Sequence, residues 1–140
     1  MSEGLPRRAK VELVIGFLDA IRRRDRDAAS RFLAPGLVWR GLEPEQFCSG
    51  PAEVVEGFVG QRDREIEVDR LELHGTERGA VFAFHLPGAP GEPGEVLPGA
   101  VYHALQVDDG RVTAIDDHRT LGAAISSLYA SSPLSRPGRE

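Results

Sequence analysis

The sequence predicts an α+β domain in which a curved antiparallel sheet packs on N-terminal helices, and three observations carry that expectation. Apolar residues near the start recur at helical spacing, the second half alternates as strands do, and an Asp-Asp-Gly turn joins the last two of those strands. A chain of 140 residues is the common size for one domain. At that length roughly two-thirds of the unfolded surface can be buried without staples.

Residues 10–24 read as the first helix, with Val11, Val14, Leu18 and Ile21 on one stripe and Phe17 beside them. Arg22, Arg23 and Arg24 follow as a solvated helix end, where cations complement the macrodipole. Residues 27–33 give a second, short helix with Ala29, Phe32 and Leu33 on its apolar side, stopped by Pro35-Gly36. Residues 37–40 are a short strand. Gly50-Pro51-Ala52-Glu53 starts a third helix, because proline is tolerated at the first helical position and Glu53 can reach back to a free amide. Val54, Val55, Phe58 and Val59 form its buried face.

Residues 66–73 alternate, but the apolar phase shifts between Val68 and Leu71, which predicts a bulge and hence curvature. Residues 75–79 make a turn, and residues 80–86, rich in valine and phenylalanine, a strand. The Gly/Pro-rich run 87–94 cannot continue a ladder and is expected to form an exposed hairpin tip. Residues 96–107 and 111–118 form the last hairpin around Asp108-Asp109-Gly110. Read as a three-residue loop with a bulge, the turn sets Val107 opposite Arg111, Leu105 opposite Thr113 and His103 opposite Ile115, on one face with Val101 and Asp117. Tyr102, Ala104, Gln106, Val112, Ala114, Asp116 and His118 then take the other face. A two-residue Asp109-Gly110 loop would instead swap the second strand's faces and bring Asp116 and His118 beside His103. Thr120 caps a last helix carrying Leu121, Ala124, Ile125 and Leu128. The domain spans residues 10–130, between a flexible N-terminus at 1–9 and a flexible tail at 131–140.

An apolar fraction of 41% and a charged fraction of 28% are ordinary for a globular protein, so neither disorder nor a fibrous repeat is indicated. The net charge of −5 argues against nucleic acid as a partner. No apolar run approaches the roughly 20 residues of a membrane span, and residues 1–8 carry no apolar signal region. Cys48 is the only cysteine, which fits a reducing compartment, and a cytoplasmic location is expected. Cys48 itself reads as a small filler near a loop rather than a nucleophile.

The order helix, helix, short strand, helix and antiparallel meander resembles the SnoaL-like or nuclear transport factor 2-like superfamily, over roughly residues 10 to 128. The residues that carry the resemblance are Val14-Ile15-Gly16-Phe17-Leu18 leading to Asp25, Val38-Trp39-Arg40-Gly41, the helix start from Gly50 to Phe58, and Asp109-Gly110-Arg111-Val112. The resemblance implies a cone-shaped fold whose sheet and first helices enclose a ligand pocket. Ketosteroid isomerase, a member of that superfamily, places an oxyanion-stabilising tyrosine and a general-base aspartate at positions that fall here on Phe17 and Gly41, and neither can do that chemistry. The aspartate of limonene epoxide hydrolase's Trp-Arg-Asp run matches Asp117, in Ile115-Asp116-Asp117, while its Arg-x-Asp companion has no counterpart in residues 81–86.

Asp117 and His103 are therefore the candidate catalytic pair, a carboxylate beside Val101 and Ile115 acting as base with a histidine that shuttles protons near neutral pH. Phe17, Trp39, Phe58, His85, Leu105 and Ile115 are the candidate substrate-binding walls, and Asp116 and His118 fall on the opposite face. The structural alternative is that Asp117 closes a strand end by accepting backbone amides and His103 is a satisfied polar core residue. No metal is expected, since His85, His103, His118 and Asp117 show no ligand-motif spacing, and the glycines at 88, 91 and 94 sit among prolines rather than in a phosphate loop. The function expected is a small-molecule pocket protein, a cofactor-free acid/base enzyme of the cyclase, isomerase, dehydratase or hydrolase kind acting on a mostly apolar substrate. The alternative is a noncatalytic ligand-binding or dimerisation module. A homodimer is expected in either case, because Ala104, Val112 and Ala114 make the sheet apolar on both sides and call for a second cover.

Overall fold

The computed structural model describes residues 7–43, 45–64, 70–85 and 101–130, those at 7, 61–64, 70 and 85 by their backbone alone. Along the chain run α1 (Arg7–Arg22), α2 (Arg26–Arg31), β1 (Leu33–Arg40), β2 (Phe47–Ser49), α3 (Pro51–Arg64), β3 (Arg70–Gly75), β4 (Gly79–His85), β5 (Tyr102–Asp108), β6 (Arg111–His118) and α4 (Leu121–Ala130). The strands form one curved, unclosed sheet in the order β2-β1-β6-β5-β4-β3. Among the described residues no helix is long and apolar enough to cross a membrane. The expected bulge near residue 68, the hairpin tip at 87–94 and the tail at 131–140 lie outside the described residues.

The first helix begins at Arg7, earlier than the apolar stripe alone suggests, and ends at Arg22. Its arginine end is tied down locally, since Asp19 binds Arg22 at 2.7 Å and Arg23 at 3.0 Å. Arg24 turns the chain at φ 56°, and Asp25 caps α2 by accepting the Ala28 N–H at 3.1 Å. Leu33 does not belong to α2. It opens β1, paired in parallel with Val112, and the register slips between Leu33 and Val38, where Pro35 and Gly36 interrupt the ladder. The Glu53 side chain reaches back to the Ser49 N–H at 3.0 Å, as the helix-start pattern predicts.

The β5–β6 hairpin corrects the turn reading. Asp108 pairs with Arg111 and Val107 with Val112, so the loop has two residues, Asp109 and Gly110, both at positive φ as a type I′ turn needs. The register then shifts, Gln106 pairing with Ala114, so Thr113 is an extra residue in β6. Its hydroxyl donates to Asp108 Oδ2 at 2.8 Å. This bulge restores the phase that the short loop would have inverted, and His103 faces Asp117 across the ladder. Val112 consequently turns to the core face, fully buried, while Arg111 is exposed beside the turn.

Helices α1, α2 and α3 cover one face of the sheet, and Val14, Phe17, Ile21, Val55, Phe58, Phe82, Leu105, Val112 and Ile115 fill the core between them. The other face has its own cover within the chain. Val81, Ala83, Tyr102 and Ala104 are buried against Ala124 and Leu128 of α4, whose first turn Thr120 caps by accepting the Ala123 N–H at 3.1 Å. The apolar second face that motivated a dimer therefore lies largely under α4.

The β3–β4 turn depends on one residue type. Thr76 accepts the Arg78 and Gly79 N–H groups at 3.0 Å, and a Cβ on Gly79 would sit 1.9 Å from the Leu105 carbonyl oxygen. That atom is backbone in the neighbouring strand and cannot rotate away. Gly79→Ala should lower unfolding stability by about 1–3 kcal/mol or more. Gly36→Ala, with nothing within 4 Å of its Cβ, should stay within about 0.5 kcal/mol of the native protein. Urea denaturation of the two variants side by side checks this, and equal midpoints would show that the strands can separate to make room.

Candidate functional site

Three strands bring the candidate site together. His103 on β5 and Asp117 on β6 are direct cross-strand partners, and Trp39 on β1 pairs in parallel with Ile115, two residues before Asp117 on the same face. Trp39 Nε1 donates to Asp117 Oδ1 at 2.8 Å, and His103 Nδ1 lies 2.7 Å from the same oxygen. An indole N–H can only donate, so Oδ1 accepts, and an accepting carboxylate assigns the histidine proton to Nδ1. Both groups are largely withdrawn from water, the side chains of His103 and Asp117 being 2% and 10% exposed. No hydrogen bond reaches Oδ2 among the described residues.

An aromatic stack holds these donors. The Trp39 ring lies flat on Phe58, with centroids 4.0 Å apart and planes within 4°, and Phe58 meets Phe17 edge-on at 5.5 Å. His103 packs between Phe82 at 4.7 Å and Phe58 at 5.4 Å. Each contact limits the rotations by which a side chain could leave Asp117.

A cleft of about 350 Å³ opens beside this group, bordered by Trp39, Asp117, Val101, Gly57 and, from the β1–β2 segment, Gly41, Leu42, Gln46, Phe47 and Cys48. Trp39 and Asp117, both candidates from the sequence, border this cleft. His103 lies behind Asp117 and does not border the cleft. Phe17, Phe58, Leu105 and Ile115 are each at most 1% exposed and belong to the closed core behind Trp39, so they shape the cleft only by supporting its wall. His85 ends β4, and its side chain lies outside the described residues. Asp116 and His118 take the other face, where Asp116 meets Arg40 at 3.1 Å and His118 neighbours Tyr102. The wall of Leu42, Gln46, Phe47 and Cys48 escaped the sequence reading because β2 has three residues, too few for a period, although Phe47-Cys48 just ahead of a Gly-Pro helix start was the available signal.

Cys48 faces Trp39 across the β1–β2 ladder. Burial, and then the Glu53 and Asp117 carboxylates, push its thiol above the usual cysteine range, so at neutral pH it is an uncharged wall rather than a nucleophile. Among the described residues no three or more His, Cys, Asp or Glu side chains converge as a metal would require.

Comparison with known proteins agrees with this architecture. A family model described as a SnoaL-like domain matches residues 14–115. An NTF2-like protein from Burkholderia xenovorans LB400 superposes with a TM-score of 0.59 at 14% identity, over 89% of this chain and 99% of that one. A Kribbella flavida DSM 17836 protein provisionally described as a ketosteroid isomerase gives 0.53 at 16% identity, over 79% and 76% of the two chains. A Sinorhizobium meliloti protein provisionally described as a polyketide cyclase gives 0.50 at 18%, over 81% and 95%. At such identities the likeness is one of fold. No curated protein matches the chain.

The state of Cys48 is directly testable, because it is the only cysteine. The pH midpoint of its alkylation by iodoacetamide should lie higher in the folded protein than in urea, and Glu53→Gln should bring it partway back. A folded midpoint equal to the unfolded one would show that the thiol feels neither burial nor the two carboxylates.

Proposed function

The chain belongs to the SnoaL-like domain family, and within that family we propose that the cleft beside Trp39 binds a small, mostly apolar molecule on which Asp117 acts as a proton acceptor. The protein is then a cofactor-free acid/base enzyme of the cyclase, isomerase, dehydratase or hydrolase kind. One observation carries this reading: Asp117 is held by two donors on Oδ1 while Oδ2 has no hydrogen-bond partner among the described residues, on a carboxylate that borders the cleft. Such a group is anchored yet still able to take a proton.

The remaining chemistry follows from the surroundings. A volume of about 350 Å³ suits a small molecule, and Trp39, Leu42, Phe47 and Val101 offer it apolar contact. His103 acts through Asp117, fixing the carboxylate and stabilising its charge by a hydrogen bond, and is a positioning residue because it does not touch the cleft. The provisional names of two structural neighbours, ketosteroid isomerase and polyketide cyclase, fall among the isomerase and cyclase kinds named above. The isomerase's own tyrosine and aspartate are not reproduced, since Phe17 is core and Gly41, though it borders the cleft, has no side chain.

Native mass measurement of the purified protein identifies any retained molecule, and Trp39, the only tryptophan, reports its binding by fluorescence. With that molecule or its precursor as substrate, Asp117→Asn should lose about 10²-fold or more in turnover while its circular dichroism stays native. Full turnover in a folded Asp117→Asn protein would remove Asp117 as the base.

A second reading, a noncatalytic module that pairs with its own copy, draws on a different surface. Ile15 and Leu71 are 46% and 42% exposed and border a groove with Leu18 and Phe84, beside β3 at the end of the sheet. The dimer this reading requires should sediment as such at micromolar concentration and become monomeric in Leu71→Asp. A native monomer under those conditions would leave the groove without this role.

A further inference from the structure

The proposed reading leaves the ligand's polar head unspecified, and the cleft's own chemistry narrows it. Asp117 is the only charged residue that borders the cleft among the described residues, and neither lysine nor arginine does. Its Oδ2 accepts no hydrogen bond among the described residues, on a side chain only 10% exposed, so a ligand that covers it without offering a proton would leave it unsatisfied. Cys48, the other ionisable group on the wall, is held in its neutral form by burial and by the carboxylates of Glu53 and Asp117, which marks the local field as negative. Gln46 adds the opposite kind of group. Its Oε1 already accepts the Glu43 N–H at 3.1 Å, while its amide N–H groups are donors that a ligand can use.

We infer that the cleft takes an uncharged molecule through a hydroxyl or enol head that donates to Asp117 Oδ2, and that it excludes carboxylates and other anions. This rests on the cleft reading above. A hydroxyl meets both demands of the wall, donating to the carboxylate and accepting from an amide. An ether can only accept, and a carboxylate brings a second negative charge beside Asp117 with no cation among the described residues of the wall to offset it. The same placement presents the head's proton to the one oxygen able to remove it.

Three compounds with one apolar body separate these effects: 1-adamantanol, 1-methoxyadamantane and adamantane-1-carboxylate, titrated against Trp39 fluorescence and by calorimetry. The alcohol should bind about tenfold tighter or more than either of the others, the order of difference expected when a buried acceptor is left unpaired. In Asp117→Asn, where the negative charge is gone, the carboxylate should close most of that gap. If the ether binds the native protein as tightly as the alcohol, the donor head is wrong although the cleft reading stands. If the carboxylate does so, the anion exclusion is wrong. If none of the three binds by either signal, the cleft reading fails together with this inference. Should Asp117→Asn not fold, the ranking on the native protein decides alone.

Discussion

The single oxygen Asp117 Oδ1 is the point on which the arrangement turns, because two N–H groups from two other strands converge on it. A carboxylate this far from water is unfavourable unless its charge is met by hydrogen bonds, and removing one partner of such a buried pair typically costs about 3–5 kcal/mol. The convergence requires β1 to lie parallel to β6 and β5 antiparallel to it, in one register each. Slippage by one residue in either ladder would send Asp117 or one of its donors to the opposite face.

The same requirement divides core from cleft. Trp39 must reach Asp117 with its nitrogen, which fixes the ring edge-on to the carboxylate and lays one face on Phe58. Phe58 in turn meets Phe17 of α1, and Phe82 closes over His103 from β4. Everything behind the indole is sealed apolar packing, and the indole itself borders the cleft formed with the β1–β2 segment. The polar pair is therefore not a floor beneath a large apolar chamber. It is a buried brace with one carboxylate oxygen left over, and that leftover acceptor is what gives the cleft its chemical character.

On the other face small side chains have a comparable consequence. Val81, Ala83 and Ala104 allow α4 to settle on the sheet, and across Ala83, the ladder partner of Glu72, the Tyr102 hydroxyl donates to Glu72 Oε1 at 3.1 Å. Glu72 also lies 2.7 Å from His74 Nε2, while His118 Nε2 on the same face is buried without a hydrogen-bond partner among the described residues. The sheet is thereby enclosed by one chain on both sides over much of its width, with the short β2 and the strand β3 at its ends.

The helices, most of the strands and the candidacy of Asp117 and His103 were legible in the sequence, because they rest on local causes: the 3.6-residue stripe of α1, the Gly-Pro-x-Glu start of α3, the Thr120 cap and the alternation around β4 to β6. The family resemblance read from those segments is the family to which the chain belongs. The hairpin shows the limit of local reading. A three-residue loop was expected and a two-residue loop formed, yet the intended pair still shares a face because Thr113 bulges, and nothing in the local pattern separates one slip from two that cancel. What tertiary structure alone decided is non-local: that β1 runs parallel to β6, that Trp39 rather than a backbone amide supplies the second donor to Asp117, and that Phe17 and Phe58, expected around the pocket, are core while Leu42, Gln46, Phe47 and Cys48 border it. These contacts join residues as far apart as 39 and 117, and only the assembly of the sheet sets which of them meet.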